Sequence, residues 1–436
     1  PHCWAYFQAI AAMLAAGPRA LAASQIGSSQ VGSSQGSSQG SSGGSSGALA
    51  SSSGTTSGTT TTTTTTSSSE GLEADALRAL ALLVPMARED IAHSTPAAVA
   101  AWAPPIYTRL VADSARVRDG AAQAANALLV HVVPLPTALT ACVARDIAGT
   151  DLCERFRMLF LDISGGGFYE SGHNNDGNGN KEQQEEARGC AGASVWATLA
   201  GLLGDRLVEG TEAQHFIALT AGLFGHECAA VRAAAFTCWA PVTQTVARLS
   251  TRTDTETGQS ACTDAHIALA MTQFERVLCG GSDEHSAEVR AAAFKCWTAF
   301  VVKLDGARLA AAFGAVVAPV VGALCTADAA SDFAVAQLCA LVDGLVGFAA
   351  PRALPQRALS VPWLAAHAAT LCAPFHAAAR RAPASAPCRA LLPTARSFTL
   401  ALAKRIATCC SAEASEAAAS EAAEVATCMG CLTSLV

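Results

Sequence analysis

Apolar residues recur along this chain with the period of a helix, and the clearest instance is written twice. The phrases VRAAAFTCW (Val231 to Trp239) and VRAAAFKCW (Val289 to Trp297) place Val, the second and third Ala, Cys and Trp at i, i+3, i+4, i+7 and i+8. That spacing is the apolar stripe of a helix with one buried face. The elements around each copy follow the same order. Before the second copy, Ile267, Met271, Phe274 and Leu278 fall on one helical face that ends at Gly280-Gly281. Ser286 then stands as the cap of a signature helix that continues to Leu304. Before the first copy, Phe216, Leu219 and Leu223 mark a helix from about Thr211 to Gly225, and the signature helix runs on to about Leu249. The repeating unit is thus a pair of helices. A weaker third copy opens at Val117-Arg118, with Ala121, Ala124, Ala125 and Leu128 behind it. The stretches SDFAVAQLCALVDGLVGF from Ser331 and SFTLALAKRIATC from Ser397 look helical without the phrase, as befits terminal units with one flank facing water.

The two copies lie 58 residues apart (289 minus 231), longer than the roughly 40 to 47 of a HEAT or armadillo unit. The Ser/Thr-rich insertion Thr251 to Gln259 accounts for the excess. The expected fold is all-α, an α-solenoid of HEAT/armadillo-like helical repeats forming one elongated body. Residues 1–24 are read as its first helix. Residues 25–69, almost wholly Ser, Thr, Gly and Gln, are read as a disordered insertion, because such a segment buries too little apolar surface to offset the entropy of ordering. Residues 70–436 are read as the solenoid proper, with a disordered loop at about 164–187. The segment AYFQAIAAMLAA (Ala5 to Ala16) resembles a secretory leader core followed by Ala20-Leu21-Ala22, yet no cationic stretch precedes it, and an amphipathic helix is the reading adopted. The uncharged run Leu309 to Cys325 contains Pro319 and is read as a buried helix rather than a membrane span.

Composition sharpens this picture. Apolar residues make up 51% of the 436, mostly alanine, while aromatics reach only 6%; helices of such residues pack closely, and alanine favours them intrinsically. The formal charge of −7 is unevenly spread. No acidic residue lies between Asp343 and Glu413, whereas Arg352, Arg357, Arg380, Arg381, Arg389, Arg396, Lys404 and Arg405 do. Cations without acids fit a groove that follows a phosphate backbone; arginine scattered over a solvated face is the other account of them. Lysine is confined to Lys181, Lys295, Lys303 and Lys404, which counts against a tubulin-binding array. Seventeen cysteines, an odd number that includes Cys238 and Cys296 on apolar faces, suggest buried free thiols in a reducing compartment, cytosol or nucleus.

Chemistry beyond packing is sparse. Arg118, Arg232 and Arg290 open helices where the macrodipole disfavours a cation, so each is expected to meet an acidic neighbour, with Asp113, Glu227 and Asp283 in position; phosphate binding is the alternative. Trp239 and Trp297 suit either burial between repeats or partner recognition, and their helical phase favours burial. The sequence holds no HExxH, GxxxxGK[ST] or GxSxG and no GxGxxG after a strand, so no catalytic residue, no cofactor and no small-molecule substrate is expected. Cys428-Met-Gly-Cys431, with Cys409-Cys410 upstream, lacks a second ligand pair. No metal is assigned to it. His226, His367 and His376 show no evident partners. The positions nominated for DNA phosphate contact are Arg380, Arg381, Arg389, Arg396, Lys404 and Arg405, in a mode that holds the backbone without reading bases.

EVRAAAFKCW (Glu288 to Trp297) resembles the N-terminal HEAT region of the telomere-associated Rap-interacting factor (Rif) family. The signature residues carrying that likeness are Val231, Arg232, Phe236, Trp239, Val289, Arg290, Phe294 and Trp297. Ala5-Tyr6-Phe7 with Ala9, Ile10 and Leu14, then Leu82-Leu83-Val84-Pro85 and Arg88-Glu89-Asp90-Ile91, are similar to that family's opening helices. The resemblance spans residue 2 to about 350 and implies a nuclear, chromosome-bound, non-enzymatic scaffold in telomere maintenance, replication timing and double-strand break repair, with DNA and protein partners and no membrane. The family's phosphatase-docking motifs are absent from this sequence. A protein-only adaptor, such as a transport receptor, vesicle adaptor or regulatory subunit, is the competing expectation.

Overall fold

The structure, a computed structural model, describes residues 2–17, 63–149, 151–161, 178–210, 213–253, 260–280, 286–326, 331–346, 361–398 and 400–402. Among these the protein is all-α, with one isolated antiparallel bridge between Thr253 and Ser260. The chain divides into two compact units, residues 1–159 with 201–203, and residues 160–200 with 204–436.

The first unit begins with α1 (His2–Ala15), whose Phe7, Ala11 and Leu14 are buried. It packs on α2 (Thr63–Ala92) and α3 (Pro96–Trp102). Phe7 lies between Trp4 and Trp102, with ring centroids 5.4 Å away on each side, so this segment is part of a core. After α3 come α4 (Pro104–Tyr107), a 3-10 turn (Thr108–Val111), α5 (Ala115–His131), α6 (Thr137–Ala148) and α7 (Asp151–Phe160). The third copy of the signature lies on α5, where Val117, Ala121, Ala124, Ala125 and Leu128 are all buried. Its neighbour is α2, and the approach is close: a Cβ added to Gly120 would lie 2.9 Å from the Ala74 carbonyl oxygen. Arg109 joins three elements, through Nε to Glu73 at 2.8 Å and through Nη2 to the Leu14 carbonyl at 3.1 Å.

The second unit is built on α8 (Asn178–Leu203), followed by α9 (Arg206–Glu209), α10 (Gln214–Ala218) and α11 (Thr220–Phe224). The first signature copy forms α12 (Ala229–Cys238), continued by α13 (Ala240–Thr251). Then come α14 (Asp264–Phe274), a π turn (Glu275–Cys279) and α15 (Ala287–Lys303), which carries the second copy. The helices α12 and α15 pack against each other. Their burial matches at most signature positions: Val231 and Val289, Ala235 and Ala293, Phe236 and Phe294, and Trp239 and Trp297 are buried, while Thr237 and Lys295 are exposed; it departs at Ala233, buried where Ala291 is exposed, and at Cys238, buried where Cys296 is half-buried.

Each signature indole closes a contact that alanine cannot make. Trp239 Nε1 donates to the Ala270 carbonyl on α14 at 3.1 Å, and Trp297 Nε1 donates to the carbonyl of Val316 at 3.0 Å. Sequence inspection missed a third member: Trp196 on α8 donates to the Phe216 carbonyl at 2.9 Å and stacks on that ring at 4.9 Å. Trp196 precedes Trp239 by 43 residues (239 minus 196). The rings run on from Trp196 to Trp239, then to Phe224, Phe236, Phe274 and Phe300, with successive centroids 4.9 to 6.5 Å apart. Such spacings are those of favourable edge and offset aromatic contacts.

Several boundaries differ from those expected. Helix α2 starts at Thr63, inside the stretch taken as disordered, because a nucleated helix adds one hydrogen bond for each further residue it orders. For the same reason α8 reaches back to Asn178, through Lys181-Glu-Gln-Gln-Glu-Glu186, whose residues are good helix formers. The first signature helix breaks at Trp239 because Pro241 has no amide to donate; the second has Ala299 there and continues. The helix expected before the first copy is divided at Leu219. Leu309 to Cys325 is covered by three short helices, α16 (Gly306–Ala311), α17 (Phe313–Val316) and α18 (Ala318–Thr326). No helix among the described residues is long and apolar enough to cross a membrane. Ser286 caps α15 as expected, accepting from the Val289 amide, and a Thr263–His266 capping box opens α14.

Two substitutions test this core by urea denaturation. Trp239→Ala is expected to cost about 3–5 kcal/mol, and Trp239→Phe less, because it keeps most of the ring and loses only the bond to the Ala270 carbonyl. Gly189→Ala is expected to lower the midpoint as well, since its Cβ would meet Val231 Cγ2 at 2.6 Å. Equal midpoints for wild type and Gly189→Ala would refute the close approach of α8 to α12.

Candidate functional site

The acid-poor end of the second unit is carried by α19 (Asp332–Val346), α20 (Val361–Arg381), α21 (Ala386–Ala390) and a further helical stretch at 392–398. Helix α20 packs on α18 and α19, and α21 on α19 and α20. Trp363 anchors the start of α20 by donating to the Ala310 carbonyl at 2.9 Å. Phe375 on α20 stacks on Phe398 at 4.4 Å and holds the last helical stretch in place. Ser385 caps α21 through the Cys388 amide.

The nominated cations have different surroundings on this scaffold. Arg380, Arg389 and Arg396 are exposed, and Arg381 is half-buried. Arg380 Nη2 donates to the Cys325 carbonyl at 3.2 Å. Arg389 donates from Nε to the Ala382 carbonyl at 3.2 Å and from Nη2 to Pro383 at 3.0 Å. Arg380, Arg389 and Arg396 make no ion pair among the described residues, whereas arginines elsewhere do: Arg109 with Glu73, Arg248 and Arg252 with Asp205, Arg308 with Asp264. Lys404, Arg405, Arg352 and Arg357 lie outside the described residues.

Arg389 belongs to a pattern that sequence reasoning saw only in part. Arg118 Nη1 donates to the carbonyls of Ala112 and Asp113, at 2.7 and 2.6 Å, and Arg232 Nη1 to those of His226 and Glu227, at 2.6 and 2.7 Å. In each case the arginine stands four residues after the N-cap, which is Ser114, Cys228 or Ser385. Arg290 follows its own cap, Ser286, at the same distance, and Asp283 lies outside the described residues. The side chain turns back over the cap and ties down the loop carbonyls that precede the helix. This explains a cation in the first turns of a helix: it serves the incoming loop. Asp113 and Glu227 take part through their main-chain oxygens. The legible signal was an N-cap residue with arginine four positions later.

Titratable groups elsewhere are held by packing. The thirteen described cysteines are free. Burial pushes Cys296 and Cys339 up to about 12, and Cys153, Cys279 and Cys325 up to about 11, so these thiols stay protonated and are poor nucleophiles. A part-buried polar cluster in the first unit joins Tyr107, which donates to Asp146 and lies 3.3 Å from Cys142 Sγ, with Arg145 at 3.3 Å from that sulfur. Burial and then the bond to Asp146 raise the Tyr107 phenol far above its ordinary value. It is a neutral donor there. No three His, Cys, Asp or Glu residues converge as metal ligands among the described residues, and Cys409, Cys410, Cys428 and Cys431 lie outside them. His226 accepts from the Cys228 amide through Nδ1 at 3.0 Å, and His367 sits against Phe313 and Trp363 with centroids 4.7 and 4.6 Å away.

Comparison with family models, with curated proteins and with solved structures found no significant match to this chain.

Two measurements probe this end of the fold. Arg389→Ala is expected to cost about 1–3 kcal/mol, because it removes charge-assisted bonds to two loop carbonyls, while Arg396→Ala leaves the urea midpoint unchanged; equal effects would refute the clamp. Burial lowers the affinity of His367 for a proton, and burial with the Arg380 charge lowers that of His376. The unfolded chain therefore takes up protons first as pH falls below about 6.5, and stability declines from there toward the folded values. His376→Gln should flatten the fall in Tm between pH 7.5 and 5.5, and an unchanged slope would count against it.

Proposed function

We propose that this chain is a non-enzymatic scaffold of HEAT-like helical repeats that works through its surface, in the manner of the Rif N-terminal region it resembles. Three observations support the repeat reading: the matched burial of α12 and α15, the same indole-to-carbonyl tie at Trp196, Trp239 and Trp297, and the 43-residue step from the first to the second, within the range of a HEAT unit. The functional reading is a nuclear protein on chromatin, acting in telomere maintenance, replication timing and double-strand break repair. DNA phosphate contact at Arg380, Arg381, Arg389, Arg396, Lys404 and Arg405 is its physical basis.

The observation that carries the DNA reading is the exposure of Arg380, Arg389 and Arg396 without a carboxylate partner among the described residues, in a segment with no acid from 344 to 412. A guanidinium has five N–H donors, so one or two bonds to carbonyls leave it charged and able to meet a phosphate. Such contact is sequence-tolerant and salt-dependent. The adaptor reading gains from the clamp at Arg389, which explains that cation by folding alone.

Fluorescence anisotropy with a labelled duplex at several salt concentrations separates the two. Replacing Arg380 and Arg396 together by Ala is expected to weaken binding at every salt and to reduce the slope of log K against log salt by about 2, one for each lost phosphate contact. Unaltered affinity, or a response to salt that is flat in the wild type, would leave the adaptor reading in possession.

A further inference from the structure

The arginines at the end of the second unit gather around the second half of α20. Arg380 lies on that helix, and its Nη2 donates to the Cys325 carbonyl. Arg389 reaches back to the carbonyls of Ala382 and Pro383, just past the helix end. Phe398, two residues after Arg396, stacks on Phe375, five residues before Arg380. All three arginines are exposed, and none meets a carboxylate among the described residues. Like charges gathered on one face repel, and that repulsion favours any anion brought to it.

Elsewhere the fold supplies acids to its arginines from other helices: Asp205 takes both Arg248 and Arg252, and Asp264 takes Arg308. At this end the next acids along the sequence after Asp343 are Glu413, Glu416, Glu421 and Glu424. They stand in residues 406–436, which hold these four glutamates and no Lys, Arg or His, and which lie outside the described residues. That charge of −4 matches the +4 of Arg380, Arg381, Arg389 and Arg396. Spacings of three, five and three residues put the four carboxylates within about 140° on a helix of roughly 100° per residue. Glu413 comes 11 residues after Leu402 (413 minus 402), where the described part ends. Such a tether reaches up to about 36 Å and holds the acids near the face at an effective concentration on the order of millimolar.

We propose that the segment 413–424 docks on the arginine face of α20 and α21 and shields it from polyanions. Its carboxylates pair with Arg380, Arg389 and Arg396, because a guanidinium keeps spare donors after one or two bonds to carbonyls. Four separate acids hold the face less tightly than a continuous phosphate backbone does, so duplex DNA displaces the segment and salt loosens it. The role of this shield rests on the DNA reading above; the contact itself does not.

The test uses the intact 436-residue chain and a glutamate-specific protease. Cleavage after Glu413, Glu416, Glu421 and Glu424 is followed by mass spectrometry and normalised to a free peptide of the same sequence. At low salt the wild type is expected to be cut there several-fold more slowly than the peptide, and high salt should abolish the protection. Arg380→Ala with Arg396→Ala should remove it at low salt, the thermal midpoint being read alongside, and Arg396→Ala alone should remove part of it. Equal rates in wild type and both variants overturn the proposal, as does protection that rises with protein concentration and so comes from a second copy. Anisotropy with the duplex is the other arm. Glu413→Gln, Glu416→Gln, Glu421→Gln and Glu424→Gln together are expected to tighten DNA binding about tenfold at low salt. Unchanged affinity overturns the shield. If neither protein binds duplex at any salt, the DNA reading falls, and the cleavage rates still decide the contact.

Discussion

A tryptophan in a framework of alanines has two needs, and the second unit is arranged around meeting both. Its ring must be buried to contribute hydrophobic free energy, and its one N–H must then find an acceptor, because an unpaired buried donor costs about 1–3 kcal/mol. Trp196, Trp239 and Trp297 meet both needs in one way, each pointing its Nε1 at a carbonyl of a helix later in the chain. Those bonds fix the spacing and rotation of successive helices more narrowly than the contact of methyl groups does. Trp102 in the first unit shows the contrast: its ring is buried against Phe7, and its Nε1 has no partner among the described residues.

Small residues make such burial geometrically possible. Gly189 lies under Val231 where α8 meets α12, and elsewhere along α8 Gly192 lies under Phe160. In the first unit Gly120 lets α5 approach the α2 backbone. Close approach brings helix ends and loops near one another, so loop carbonyls need donors. The arginine four residues past the cap supplies them at Arg118, Arg232 and Arg389. The same residue type therefore performs two tasks in this chain, tying loops where its Nη or Nε atoms meet carbonyls, and carrying positive charge with no ion-pair partner among the described residues where it stands exposed, as at Arg276 and Arg396.

Much of the architecture was legible in the order of residues. Helical periodicity located the signature helices, the stripe Ile267, Met271, Phe274 and Leu278 before the second copy, and the Ser286 cap. Burial of Trp239 and Trp297 followed from their phase, eight residues after a buried valine. The equivalence of Trp196 was hidden, because Cys190-Ala-Gly-Ala-Ser-Val-Trp196 has Ala193 where the signature has Phe236 and shares little else of its identity. The clamp was half visible: the arginine was seen as needing a partner, and the partner turned out to include main-chain oxygen, which a sequence does not display.

The sequence by itself determined what is local and periodic: which segments are helical, which face of each is apolar, where Pro241 breaks one copy and Ala299 spares the other, and where acids are missing. Those properties depend on residues a few positions apart, and helix geometry is the same in every context. Tertiary structure alone decided which carbonyl each indole and guanidinium reaches, which arginines keep their charge unpaired, and that Phe224, Arg276 and Val289 border one cleft. These depend on the distance between residues up to 65 positions apart (289 minus 224), and that distance is set by packing summed over the whole core, which no local pattern records.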